Sequence, residues 1–242
     1  MSKLAHLLDD DIETGTLRLK LSRALRSLAE DENSSHGDMR QHALHVSDFT
    51  KSDKNFCARW LVVRYLKGDE RKFRGPSWVQ YDGKERERKW LKLFKRAGIL
   101  VDYQAELHMG PLQGHPDFII NIFHDERIVE LTGHDGRHPE KVLWMRIAQK
   151  RMQCLIYMWM RKVHAKSWVL VEDKGNQEFK LIDVEWDPKK LKPIARRIHQ
   201  VSRVAQRLEV LRSEGASPAY MAKILRMVPA CGRPRCPLCG GE

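Results

Sequence analysis

The sequence has no apolar run approaching the roughly 20 residues that a membrane-spanning helix needs, and its opening, MSKLAHLLDDD, lacks the long apolar stretch of a secretory signal. No membrane partner is expected, and a cytoplasmic location is. Cysteine is scarce: five in 242 residues is too few for a disulfide-dense secreted scaffold. There is no phosphate-binding glycine loop, no helicase motif, no helix-turn-helix or zinc-finger signature, and no internal repeat or low-complexity tract. Nucleotide-driven motors, base-reading regulators and repeat scaffolds are thereby set aside, and any helicase or recombination partner would be a separate protein.

What is present is basic charge and enough apolar residues for a core. Against 32 Asp and Glu stand 44 Lys and Arg, a formal net charge of +12, and 42% of residues are hydrophobic. This supports one domain, or one domain with a small appendage, and a polyanionic partner. The charge is concentrated. Between Pro139 and Lys166 there are seven Lys or Arg against one acidic residue, and between Asp187 and Arg212 eight against two. Such stripes bind phosphate backbones without reading sequence. Trp90, Trp144, Trp159 and Trp168 offer stacking platforms for unpaired bases, although large aromatics at helical spacing are more often core.

Residues 1–50 read as a polar N-terminal segment with one helix from about Thr16 to Glu30, and residues 51–242 as the main domain. A helix is expected from Ser52 or Asp53 to Gly68, with Cys57 in its first turns, and a charged helix from Gly83 to Arg96, stopped by Gly98. Extended segments follow at DYQAELHM, PDFIINIF and RIVELT, with HDE as a hairpin turn. A long helix is expected from Pro139 to about Lys166, then a hairpin of SWVLVED and EFKLIDVEW. Helices over Pro188–Arg212 and Ser217–Val228 close the chain. The order predicts an α/β fold with one central mixed sheet flanked by helices.

The most informative stretch is GHPDFIINIFHDERIVELTG, residues 114–133. Asp117 opens one strand and Glu130 lies late in the next, so a tight hairpin brings both carboxylates to one end of the sheet. Converging acidic groups suit Mg²⁺ or Mn²⁺, hard ions that take oxygen ligands and activate water for phosphodiester attack. Thr132, two residues beyond Glu130, shares its face. The bland alternative is a turn aspartate and an edge glutamate. Gln153 and Tyr157, four apart, share one face of the next helix, where ordinary packing is the alternative. At the tail, Cys231, Cys236 and Cys239 form a C-x4-C-x2-C knuckle needing a fourth ligand, for which Cys57 is the natural candidate. Four thiolates suit a [4Fe-4S] cluster or tetrahedral zinc. Cys154 reads as a small buried hydrophobe. Of the histidines, His115 reads as a neighbour of the acidic site and His108, His124, His134 and His138 as turn or surface residues.

Gly114-His115-Pro116-Asp117, Glu130-Leu131-Thr132, and Gln153 with Tyr157 together resemble the PD-(D/E)XK nuclease core with its trailing QxxxY motif, in the RecB-like exonuclease branch that includes the CRISPR-associated iron-sulfur nucleases and the nuclease domain of AddB. The resemblance implies a restriction-endonuclease-like fold and a metal-dependent DNA exonuclease acting on free ends or single strands. It implies Mg²⁺ or Mn²⁺ on Asp117, Glu130 and the Leu131 carbonyl, and Gln153 and Tyr157 facing the DNA or bracing the site. It also implies a [4Fe-4S] cluster on Cys57, Cys231, Cys236 and Cys239 that clasps the two ends of the domain.

Two positions depart from that pattern. Thr132 stands where the family carries a lysine that stabilises charge on the phosphate, and Arg86, in Gly83-Lys84-Glu85-Arg86-Glu87, stands where the family has a metal-binding histidine. A substitute cation would come from Arg86, Lys150 or Lys174, and Arg86, Lys150, Arg151 and Lys174 are the expected DNA contacts. The departures also support an alternative, a non-catalytic DNA-binding or scaffold protein on a degenerate nuclease fold.

Overall fold

The structure, a computed structural model, describes residues 43–51, 56–67, 78–134, 140–173, 178–231, 236 and 238–239. The helix expected over residues 16–30 lies outside them. The chain divides into two compact units, residues 1–40 with 71–86, and residues 41–70 with 87–242.

The elements that position the site lie in the larger unit. β1 (Leu44–His45) and α1 (Val46–Phe49) lead to α2 (Ala58–Lys67), and α3 (Trp78–Arg96) runs from the smaller unit into the larger. Then come β2 (Leu100–Tyr103), β3 (Leu107–Met109), β4 (Leu112–Gly114), β5 (Phe118–Ile122) and β6 (Asp125–His134). α4 (Glu140–Arg161) crosses over to β7 (Ser167–Asp173), which turns back into β8 (Phe179–Val184). α5 (Pro188–Ser213) and α6 (Pro218–Leu225) follow.

Five strands form one mixed sheet in the order β2-β5-β6-β7-β8, with β6 and β7 parallel and the other pairs antiparallel. A parallel pair needs a long crossover, and α4 lies in it. Both faces of the sheet are covered, so the central strands are apolar on both sides. Trp90 and Phe94 of α3 pack with Phe118, Ile120, Val129, Leu131 and Leu170 on one face. On the other, Ile119, Ile128, Val169 and Val171 join a larger core with Ile147, Leu155, Ile156 and Met158 of α4 and Leu61 and Val62 of α2.

The expected fold class is found, with several corrections. DYQAELHM is not one strand: Gln104 takes a φ of 52°, and β2 and β3 enter different sheets. β3 belongs to a small second sheet, β1-β4-β3, whose two- and three-residue strands are too short to show alternation. The hairpin turn is Phe123-His124, both at positive φ, one residue earlier than HDE suggested. α2 begins at Ala58, directly after Cys57, and Ser52 and Asp53 lie outside the described residues. α3 starts five residues before Gly83, and α4 stops at Arg161 rather than near Lys166.

Helix ends follow backbone geometry. Gly98 and Gly215 take φ of 69° and 74°, each closing its helix with the paired bonds of a Schellman turn. Lys162 does the same at φ 60° after α4: its N–H reaches the Trp159 carbonyl and that of Val163 the Met158 carbonyl. A lysine in that role carries no sequence signal. Asp187 caps α5 by accepting from the N–H groups of Lys189 and Lys190, and Ser217 caps α6 through Tyr220.

Candidate active site and cysteine cluster

The β5–β6 register pairs Phe118 with Val129, which sets Asp117 and Glu130 next to each other just beyond the last pair. Strand alternation sends Asp117, Glu130 and Thr132 to the face covered by α4. Glu130 is 1% exposed and Asp117 is buried beside it. Backbone bonds hold both: the Asp117 N–H donates to Glu130 Oε1 at 3.2 Å, and the Leu131 N–H to Asp117 Oδ2 at 2.7 Å.

Two carboxylates buried side by side require a cation. Lys150 supplies it from α4: its Nζ lies 2.9 Å from Asp117 Oδ2 and 2.6 Å from Glu130 Oε2. Burial, followed by the Asp117 charge, pushes the Glu130 carboxyl up to about 8 against the opposing pull of Lys150. Burial alone would lower Lys150, but Asp117 and Glu130 outweigh it and hold the ammonium well above the usual lysine range. Of the three candidate cations, the structure therefore brings Lys150 to the carboxylates. Arg86 belongs to the other compact unit and Lys174 lies outside the described residues. Arg151 is exposed on α4.

The other expected residues surround this triad. Thr132 is buried and carries no charge. Tyr157 donates its O–H to the His115 carbonyl at 3.3 Å, and burial, then Glu130, raises its phenol far above the ordinary range. Gln153 lies one turn before Tyr157, and its Oε1 is buried with no hydrogen bond among the described residues. Gly114 is required by this packing: a Cβ there would stand 2.5 Å from Tyr157 Cε1 and 2.7 Å from Val46 Cγ2. Cys154 is buried, its Sγ donating to the Trp168 carbonyl at 3.5 Å.

Sequence reasoning missed Glu87 and Tyr103. The Tyr103 O–H and the Gln104 side-chain amide both donate to Glu87 Oε2, at 3.2 and 3.3 Å, while the Gln104 N–H donates to the Asp117 carbonyl at 3.3 Å. Burial, then Glu87, pushes the Tyr103 phenol up to about 12, with Asp117 adding to it. The signal available was the place of Glu87, directly after Arg86 in the GKERE segment.

The donor set fits a hard divalent ion. Asp117 and Glu130 present converging oxygens, and Asp117 Oδ1 takes no hydrogen bond among the described residues.

The four expected cysteines come together, with ligand atoms all within 4.8 Å of one another. Cys57 Sγ lies 3.7 Å from Cys236 Sγ and 3.8 Å from Cys239 Sγ. Cys57 stands at the N-terminus of α2, where its sulfur accepts the Trp60 N–H at 3.4 Å. Arg59, two residues on, is buried and donates from Nε to the Val228 carbonyl at 3.1 Å and from Nη1 to the Leu238 carbonyl at 3.3 Å, tying the C-terminal knuckle to α2. Four thiols this close can hold a metal ion. A tetrahedron of thiolates with metal–sulfur bonds of about 2.3 Å has sulfur–sulfur edges of roughly 3.8 Å, which matches the distances from Cys57 to Cys236 and Cys239.

No known family model matches the chain, and no curated protein does. Among solved structures it resembles a phage related exonuclease from Haemophilus somnus 129PT, with a TM-score of 0.53 and 16% identity over 72% of this chain and 96% of that one. It also resembles the protein SSO0001, with a TM-score of 0.51 and 17% identity over 75% of this chain and 85% of that one. At these identities the likeness is one of fold: the mixed sheet flanked by helices is shared with an exonuclease.

Proposed function

We propose that this chain is a metal-dependent deoxyribonuclease, an exonuclease of RecB-like PD-(D/E)XK type, hydrolysing phosphodiesters at DNA ends or in single strands during recombination, repair or processing. The observation that carries the reading is Lys150 Nζ placed between Asp117 and Glu130, 2.9 and 2.6 Å away. It supplies from a helix the positive charge that Thr132 cannot supply from the strand. The exonuclease fold of the Haemophilus somnus protein supports the same reading.

In this mechanism Asp117, Glu130 and the Leu131 carbonyl hold Mg²⁺ or Mn²⁺, which when bound polarises the phosphate and lowers the pKa of an attacking water. Lys150 holds its proton and stabilises the charge that builds on the phosphate oxygens. Tyr157 and Gln153 brace α4 against the GHPD segment. For the cysteines we infer a structural metal. The sulfur spacing favours one tetrahedral ion such as Zn²⁺, whereas the family resemblance favours a [4Fe-4S] cluster.

The test is cleavage of end-labelled single-stranded and duplex DNA by anaerobically purified protein with Mn²⁺ or Mg²⁺, beside Asp117→Asn and Glu130→Gln. Cleavage lost in both variants is expected. Wild-type protein that binds DNA but cuts no form of it would refute the enzyme and leave the DNA-holding alternative, for which Thr132 and Arg86 remain the sequence arguments.

A further inference from the structure

Four non-glycine residues take a positive φ among the described residues. Phe123 and His124 form the β5–β6 hairpin turn, and Lys162 closes α4. Gln104, at 52°, does neither. It begins the three-residue connector, 104–106, that leads from β2 to β3. Glutamine has no preference for left-handed backbone, and strain of this kind persists only where the surroundings over-determine it.

Two bonds hold Gln104 there. Its N–H donates to the Asp117 carbonyl at 3.3 Å, one step beyond the Tyr103–Phe118 pair that ends the β2–β5 ladder. Its side-chain amide donates to Glu87 Oε2 of α3 at 3.3 Å, beside the Tyr103 O–H at 3.2 Å. The Asp117 N–H goes to Glu130 Oε1 at 3.2 Å, so both backbone polar groups of Asp117 are engaged, and Gln104 is the partner that comes from outside the carboxylate pair. At the far end of the connector, Glu106 accepts from the side-chain amide of the buried Gln113. The stretch from Gln113 to Asp117, which contains GHPD, is therefore held at both ends by the same three residues. Mg²⁺ demands near-ideal octahedral geometry, so a carboxylate free to swing is a poor ligand, and residues that orient the ligands without touching the ion tune its affinity.

We propose that Gln104 is a positioning residue for the metal site: latched to Glu87, it fixes the Asp117 peptide and with it the direction of the Asp117 carboxylate toward Glu130. This role rests on the nuclease reading, in which Asp117 and Glu130 hold the ion. Gln104 itself touches neither ion nor substrate and acts through Asp117.

The experiment measures Mn²⁺ binding to full-length protein without DNA, by the loss of the free-ion EPR signal, and counts only the binding that disappears in Asp117→Asn. Metal-free thermal melts run beside it. Gln104→Gly keeps the backbone donor, relieves the strain and removes the latch. Its melting midpoint is expected within about 3 °C of wild type, while its Mn²⁺ affinity falls on the order of tenfold. Cleavage by this variant is expected to return to near the wild-type rate at saturating Mn²⁺. Gln104→Glu sets two carboxylates against each other and is expected to weaken Mn²⁺ binding at least as much. Adding Glu87→Gln reverses donor and acceptor and is expected to recover most of the affinity. Mn²⁺ affinity unchanged in Gln104→Gly, or no recovery in the double variant, overturns the latch and leaves the nuclease reading standing if wild-type protein still cuts. A Gln104→Gly midpoint lowered by about 10 °C or more overturns it in favour of plain structural support. Wild-type Mn²⁺ binding that Asp117→Asn leaves intact overturns the metal site and the nuclease reading together.

Discussion

Replacing Lys150 with glutamine tests the site most directly, because its one ammonium contacts both buried carboxyl groups. Lys150 contacts Asp117 and Glu130 at 2.9 and 2.6 Å with about a quarter of its side chain exposed, and Glu130 has almost no access to water. Removing one partner of a buried charge pair costs about 3–5 kcal/mol, because the remaining charge is left uncompensated. In a domain of this size that lowers Tm by roughly 6–20 °C at about 2–4 °C per kcal/mol. Thermal unfolding at neutral pH without divalent ions should show this drop, and Mn²⁺ should raise the midpoint more in Lys150→Gln than in wild type, since the ion takes over the lysine's neutralising role. Lys150→Gln with Glu130→Gln should recover part of the loss, because the pair is coupled. Cleavage by Lys150→Gln should fall on the order of a hundredfold or more through lost charge stabilisation. A variant that melts within a degree of wild type and responds identically to Mn²⁺ would mean that Lys150 does not neutralise these carboxylates, and the account of the site would fail with it.

Gly114→Ala should destabilise by about 1–3 kcal/mol, because the new methyl meets Tyr157 and Val46 well inside contact distance; denaturant melts check it, and a neutral result would refute the close approach. Cys57→Ser should reduce bound metal to below half of wild type and lower the melting midpoint, read by iron and zinc analysis together with visible absorption; a zinc signal without iron selects the tetrahedral ion, and iron with sulfide-cluster absorption selects [4Fe-4S]. Asp48 is buried and paired with Arg64 and Lys51; burial alone would raise its carboxyl, but Arg64 and then Lys51 outweigh it and hold it below the usual range. Its folded form binds fewer protons than the unfolded chain, so its contribution is complete above the unfolded value of about 3.9 and is lost as pH falls through the lowered folded value. Asp48→Asn should therefore cost about 3 kcal/mol near neutrality and flatten the acid side of a stability–pH curve; a curve as steep as wild type would refute the assignment.

Legibility in the sequence followed the range of the forces involved. PDFIINIF and RIVELT are recognisable because both faces of β5 and β6 are buried, which demands β-branched and apolar residues at consecutive positions. Gly98 and Gly215 mark helix ends because left-handed backbone selects glycine locally. Lys162 adopts the same conformation without being glycine, and the end of α4 was accordingly misplaced. β1 and β4 pair across some 68 residues of chain, Leu44 with Leu112, and nothing in a two- or three-residue stretch records a partner that distant.

The site shows the same division. Asp117 and Glu130 were legible because hairpin register is local: thirteen residues of chain fix their meeting. Cys57 could be joined to Cys231, Cys236 and Cys239 across 174 to 182 residues only because thiol chemistry requires a fourth ligand, a constraint that acts at any separation. Nothing of that kind selected Lys150 from Arg86 and Lys174, since lysine is ordinary on a solvated helix and its role depends on which face of α4 meets β6. Once α4 packs there through Ile147, Cys154 and Tyr157, Lys150 occupies the same face, and its ammonium has two buried carboxylates in reach. Thr132 then need not be charged: with the Glu130 carboxyl pushed up to about 8, the pair carries about one negative charge near neutrality, which the Lys150 ammonium balances.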